Sequence, residues 1–203
     1  MGKKNQIAVI VLAAGESSRM QQPKQLLPWG ESTLLGHAIE IAMNSMANEV
    51  YVVLGANAAK IQEQIDLSKI KCMVNKDWKK GLGSSIAHAV QYLAKSDKHY
   101  DGLLFMLCDQ PLIDTNYLNS MISTFTDGVK NIVATAYKQR NGVPVLYHKK
   151  YIPLLSTLDG DSGAKEIIAK NREDVIALSA EGKEIDLDTY AAYQHMIQQS
   201  KNR

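Results

Sequence analysis

The chain has 203 residues, 45% of them hydrophobic, enough for one sizeable core and consistent with a single domain over 1–203. Its 23 Lys and Arg stand against 21 Asp and Glu and are interspersed. That balance excludes a general nucleic-acid or membrane surface and requires any anionic partner to be held locally. Cys72 and Cys108 have neither zinc-site spacing nor a disulfide framework and are expected to be buried, reduced thiols.

In chain order, Met1-Gly2-Lys3-Lys4 leads into an apolar run too short for a signal peptide or a membrane span, so a cytoplasmic location is expected. That run, residues 7–12, reads as a strand buried on both faces of a parallel sheet. Similar runs at 49–54, 70–74, 102–107 and 131–136 are expected as further central strands. Between them, Leu34, Leu35, Ala38, Ile39 and Ala42 define one amphipathic helix, and Ile86, Ala89, Val90 and Leu93 a second, with Ser84 or Ser85 able to cap it. Leu118, Met121, Ile122 and Phe125 define a third, and Ala164, Ile167 and Ile168 a fourth. Alternating strands and helices predict an α/β fold, a three-layer α/β/α sandwich. Residues 137–158, interrupted by Gly142, Pro144 and Pro153, break the alternation and are expected as an excursion over the carboxyl edge of the sheet. Ligands of open α/β sheets bind outside that edge, so each loop after a strand is a candidate wall of a site.

The first such loop carries Gly15, whose missing side chain permits close approach to a ligand, then Arg19 and Lys24, a donor fork and a point charge suited to a chain of phosphates. It lacks the G-K-[ST] of a Walker A loop and the three glycines of a Rossmann fingerprint. The residues alone fit a phosphate cradle or a plain turn. Asp109 follows the strand at 102–107 and can hold Mg²⁺ beside a phosphate or cap a turn. Residues 75–85 suit either a nucleobase pocket or ordinary N-cap chemistry, with Trp78 packing beneath the loop. The five histidines show no metal spacing, and no nucleophile elbow appears, so no covalent intermediate is expected.

Several segments together resemble the MobA-like NTP transferases, and among them the molybdenum cofactor cytidylyltransferases of the MocA type. They are Leu12-Ala13-Ala14-Gly15-Glu16-Ser17-Ser18-Arg19-Met20 with Pro23-Lys24-Gln25-Leu26-Leu27-Pro28, the Asn75 to Ser85 stretch, Cys108-Asp109-Gln110-Pro111-Leu112, Gly142-Val143-Pro144-Val145, Asp159 to Lys165, and Glu184-Ile185-Asp186-Leu187-Asp188. The resemblance implies a Rossmann-like nucleotidyltransferase fold with a mostly parallel central sheet. It implies Arg19, Lys24 and Asp109 as catalytic residues, and Leu12, Ala13, Ala14, Gly15, Asn75, Gly81, Ser84 and Ser85 as further nucleotide-binding positions. Asp109 and Asp186 are implied as ligands of Mg²⁺, with Asp188 capping the last helix. Gly142, Pro144, Asp161, Gly163 and Lys165 fall on the acceptor side. The implied reaction transfers CMP from CTP to a molybdopterin-type acceptor for a molybdenum hydroxylase client. The alternatives are GTP as donor, a sugar phosphate as acceptor, and a non-enzymatic cofactor carrier. The chain departs from the family pattern at Gln21 and Cys108, where glycine is usual, and at Lys165, where arginine is usual.

Overall fold

The computed structural model describes residues 5–20, 22–160 and 165–201. Among them a seven-stranded sheet has the order β5-β4-β1-β6-β8-β7-β9. β1 (Ile7–Ala13) lies well inside it, and every one of its residues is buried, because both of its faces are apolar and need a cover. It pairs in parallel with β4 (Glu49–Leu54) and β6 (Gly102–Leu107). β4 pairs in parallel with β5 (Lys71–Val74), which is an edge strand and not a central one. At the other end β7 (Ile132–Ala136) pairs in parallel with the edge strand β9 (Val175–Ser179), which the sequence reading did not anticipate.

Residues 137–158 correct the sequence reading. They are no excursion over the edge: β8 (Asn141–His148) is inserted antiparallel between β6 and β7. Proline inside a strand removes a ladder donor and is tolerated at bulges. Here Val145 faces Ala134 and Gly142 faces Thr135, so Val143 and Pro144 occupy the register shift. The Pro144 carbonyl instead accepts from Thr135 Oγ1 at 2.7 Å.

Alternation along β1 divides the core. Ile7, Val9 and Val11 face α1 (Leu34–Met43), α2 (Ala58–Gln64) and α4 (Thr115–Thr126), while Ala8, Ile10 and Leu12 face α3 (Leu82–Ala94), α5 (Ile152–Leu155) and α6 (Lys165–Lys170). A third cluster joins Met20, Leu27 and Leu34 to Leu187 and to Tyr193 and Met196 of α7 (Tyr190–Lys201), beside the small ribbon of β2 (Pro28–Trp29) and β3 (Ser32–Thr33). Tyr193 Oη donates to the Pro28 carbonyl at 2.7 Å, so the C-terminal segment is pinned beside the loop that follows β1.

Two expected caps differ. α3 begins earlier than Ser84, at Leu82 after Gly81, whose φ of 99° is a glycine conformation, and both serines lie inside its first turn. α7 is capped by Thr189, whose Oγ1 accepts from Ala192 N at 3.2 Å, leaving Asp188 free for other partners. Cys108 is buried, as expected, but Cys72 is only half-buried; neither is in a disulfide. No helix among the described residues is long and apolar enough to cross a membrane.

Candidate active site

The loops after β1, β5 and β6 enclose a cavity of about 370 Å³ at the carboxyl edge, walled by Leu12, Ala13, Ala14, Gly15, Lys24, Trp78, Gly81, Ser85 and Asp109. The first loop owes its shape to Gln25, which is completely buried and donates from Nε2 to the carbonyls of Ala13 at 2.8 Å and Gly15 at 2.9 Å. Ser17 makes the sharp turn at φ 61°, and its Oγ accepts from Lys24 N at 3.0 Å. A Cβ at Gly15 would meet no atom within 4 Å, so its glycine keeps cavity space open. Gly55 is glycine because a Cβ would strike Trp78 and Ala14, the two walls it lets approach.

Charge is concentrated on one side. Lys24 Nζ pairs with Asp109 Oδ2 and lies 3.6 Å from Asp188 Oδ1; Arg19 stands on the exposed rim, 3.4 Å from Asp188 Oδ2. Burial lowers the Lys24 pKa, but the charge and hydrogen bond of Asp109, with the charge of Asp188, outweigh it and leave the value raised. Asp186 is half-buried, and its Oδ1 accepts from Gln110 Nε2 at 2.7 Å. Burial first, and Asp109 second, raise its pKa. Leu187 N donates to the Asp109 carbonyl at 2.9 Å, which fixes the segment carrying Asp186 against the turn carrying Asp109.

The residues present fit a divalent cation. Asp109 Oδ1 is buried with no hydrogen-bond partner, and Asp186 is a second carboxylate oxygen donor whose charge is penalised by Asp109. Two hard carboxylates of this kind suit Mg²⁺ or Mn²⁺, which fill their remaining positions with water and substrate phosphate. Among the described residues no group of three His, Cys, Asp or Glu could hold a metal by itself.

The other expected site residues are distributed unevenly. Asn75 is buried and spends its side chain internally, donating to Ser84 Oγ and Ser85 Oγ at 3.0 and 3.1 Å and accepting from Asp77 N at 2.9 Å. Ser84 Oγ donates to the loop carbonyls of Asp77 and Gly81. Both shape the loop, and Gly81 and Ser85 reach the cavity wall. Gly142 and Pro144 are buried in the sheet, and a Cβ at Gly142 would lie 2.9 Å from the Tyr137 ring. Lys165 lines a different, neighbouring cavity. Asp161, Gly163 and Gln21 lie outside the described residues.

Sequence reasoning assigned no role to Gln25, Gln110 or Tyr137, and gave Asp188 only that of a cap. Gln110, 3% exposed, joins Asp186 to Tyr137 Oη, to which it donates at 2.8 Å. Both glutamines sat inside the motifs noted, but only burial distinguishes a structural amide from a loop amide.

The sheet with its carboxyl-edge cavity is the Rossmann-like α/β fold of the nucleotidyltransferases. Residues 9–175 match the MobA-like NTP transferase domain, and the chain belongs to that family. It is 31% identical over 191 residues to nicotine blue oxidoreductase of Paenarthrobacter nicotinovorans, a match covering 89% of this chain and 91% of that one. A match at 30% identity to the bifunctional protein GlmU of Pseudomonas fluorescens takes 57% of this chain but only 25% of that longer protein. Among solved structures, Rv0371c from Mycobacterium tuberculosis H37Rv superposes with a TM-score of 0.83 at 27% identity, covering 97% of this chain and 100% of that one. A manganese complex of the same protein superposes at 0.79.

Proposed function

We propose that the chain is a divalent-metal-dependent cytidylyltransferase that moves CMP from CTP to the phosphate of a molybdopterin-type acceptor and releases pyrophosphate. The observation that carries the transferase reading is Asp109, whose unpartnered Oδ1 is buried at the end of β6 while its other oxygen holds Lys24 on the wall of the same cavity. Asp109 and Asp186 hold the metal, a role supported by their chemistry and by the manganese complex of Rv0371C. The ion supplies Lewis-acid charge to the phosphates.

The chain's own residues position and neutralise. Lys24 and Arg19 take the triphosphate's negative charge, and the loop held by Gln25 lays its backbone along the phosphates. Gln110 and Leu187 N keep the two carboxylates in register. An oxygen of the acceptor phosphate attacks the α-phosphorus in line; that P–O bond forms as the bond to the bridging oxygen breaks, and its electron pair leaves with pyrophosphate. The acceptor phosphate is already ionised near neutral pH, so no general base is required. CTP over GTP, the molybdopterin acceptor and the molybdenum hydroxylase client rest on the ordered motif resemblance.

Pyrophosphate release measured with each nucleoside triphosphate, Mg²⁺ or Mn²⁺, and molybdopterin tests the reading, with Asp109→Ala as the inactive control. Turnover with a sugar 1-phosphate and none with molybdopterin overturns the acceptor. Full activity of Asp109→Ala overturns the metal site.

A second reading has one specific support, the relative named as an oxidoreductase at 31% identity across nearly all of both chains. Fold alone does not choose between transfer and redox chemistry. A visible absorbance spectrum of the purified protein showing a bound redox cofactor, with no pyrophosphate release from any nucleotide, favours that reading.

A further inference from the structure

A second cavity, of about 600 Å³, opens between α6, β9 and the hairpin joining β7 to β8. Arg140, Lys165 and Arg172 line it with Gln139 and Asn141, and among the described residues no acidic side chain does. Among the described residues none of the three cations has an ion-pair partner. Two nearby acids are engaged elsewhere: Glu166 lies 3.3 Å from Lys170, and Asp174 is held by Lys150, Tyr151 and Asn131. Uncompensated cations around one concavity repel each other and raise its potential, and an oxyanion relieves both.

Arg140 is not a loose surface arginine. Its guanidinium lies over the Tyr137 ring, 4.8 Å from the centroid, and Gly142 leaves room for that stack, since a Cβ there would lie 2.9 Å from the ring and 3.6 Å from Arg140 Nη1. Tyr137 Oη accepts from Gln110 Nε2, which also donates to Asp186. One wall of the cationic cavity is therefore continuous with the carboxylate site. Asp109 follows β6, whereas the strand residues lining this cavity are Asn141 at the start of β8 and Val175 and Ala177 of the edge strand β9, and the two cavities share no lining residue. The cavity volume is in the range that takes a small molecule.

We propose that this cavity is a second oxyanion-binding site, separate from the nucleotide cavity, that takes a phosphate or carboxylate group of a small metabolite. The group comes from one of two sources: the end of the acceptor remote from its reacting phosphate, which rests on the transferase reading, or a free anion. The test is an NMR titration with inorganic phosphate, following the Arg140 and Arg172 Nε–H signals of the wild type and, in both the wild type and an Arg140→Gln/Arg172→Gln double variant, the backbone amide signals of Asn141, Ala169 and Ala177 that line the cavity, without nucleotide and with saturating MgCTP. Both arginines are exposed, so the double variant is expected to melt like the wild type. In the wild type the Arg140 and Arg172 signals shift and saturate with or without MgCTP. The double variant binds phosphate at least about tenfold more weakly and binds MgCTP as the wild type does. Unchanged phosphate affinity in the double variant, or displacement of phosphate by MgCTP, overturns the proposal. If the wild type fails to bind MgCTP, the transferase reading falls, while the titration without nucleotide still decides this site. Phosphate inhibition competitive with the acceptor assigns the cavity to the acceptor; noncompetitive inhibition assigns it to a free anion.

Discussion

Lys24→Met separates the structural cost of the site from its chemistry. Lys24 and Asp109 expose 16% and 9% of their side chains, so removing either strands the other charge in a mostly dry place. For a fully buried pair that costs about 3–5 kcal/mol. Here Asp188 remains 3.6 Å from Lys24 but is 48% exposed, and partial hydration lowers the penalty to roughly 2–3 kcal/mol for either Lys24→Met or Asp109→Leu. The double variant Lys24→Met/Asp109→Leu leaves no stranded partner and is expected to recover about 2 kcal/mol of the summed losses. Urea unfolding of all four proteins, with unchanged slope, reads the cycle. Additivity of the two single changes to within about 0.5 kcal/mol refutes the reasoning. All three variants are expected to lose pyrophosphate release, so stability returns in the double variant without activity. The pH dependence has a definite sign. The folded-state pKa of Lys24 is raised, so its contribution is complete below the ordinary lysine value and is lost only as pH rises through the folded value. The stability gap between wild type and Lys24→Met is thus flat across neutral pH and shrinks in alkali.

Asp186 has the opposite character, a carboxylate whose pKa is raised by burial and by Asp109, so its ionisation costs stability as pH rises through that value. Asp186→Asn keeps the acceptor for Gln110 and is expected to be at least as stable as wild type at neutral pH, the difference vanishing in acid; Mn²⁺ raises the melting temperature of the wild type only. A variant clearly less stable than wild type at neutral pH contradicts this. Gly15→Ala is expected to change unfolding free energy by less than about 0.5 kcal/mol, because its Cβ meets no protein atom, while weakening MgCTP binding measured by calorimetry. Gly83→Ala is the converse: its Cβ would lie 2.8 Å from the Gly160 carbonyl oxygen, and a loss of about 1–3 kcal/mol is expected in chemical denaturation despite the better helix former. Gln25→Leu strands the Ala13 and Gly15 carbonyls and is expected to cost about 2–4 kcal/mol and to weaken MgCTP binding; wild-type affinity in this variant shows that Gln25 does not shape the loop.

The candidate site is legible in part for a physical reason. Gly15 and Asp109 stand directly after apolar strands, and Lys24 is tied back to the same first loop by Ser17, so chain order brings these loops to one edge. The partners of those residues come from across the chain. Asp186 reaches Asp109 only through the Gln110 amide and the Leu187 backbone bond, and Asp188 leaves its expected capping role because Thr189 takes it. Asn75 and Ser84 carry the letters of a nucleobase pocket, yet they hydrogen-bond each other and the loop, a pairing that depends on which helical turn starts at Leu82.

By itself the sequence determined the layers, since the apolar runs at β1, β4 and β6 bury two faces and their short-range periodicity is set within each segment. It also determined the family, through motifs in a fixed order. Tertiary structure alone decided that β8 enters the sheet antiparallel beside β6, that β9 closes its edge, and that three cations without acidic partners among the described residues share one cavity. Strand order and unpaired charge are relations between distant segments, settled by which surfaces meet when the chain packs, and no local pattern of residues records them.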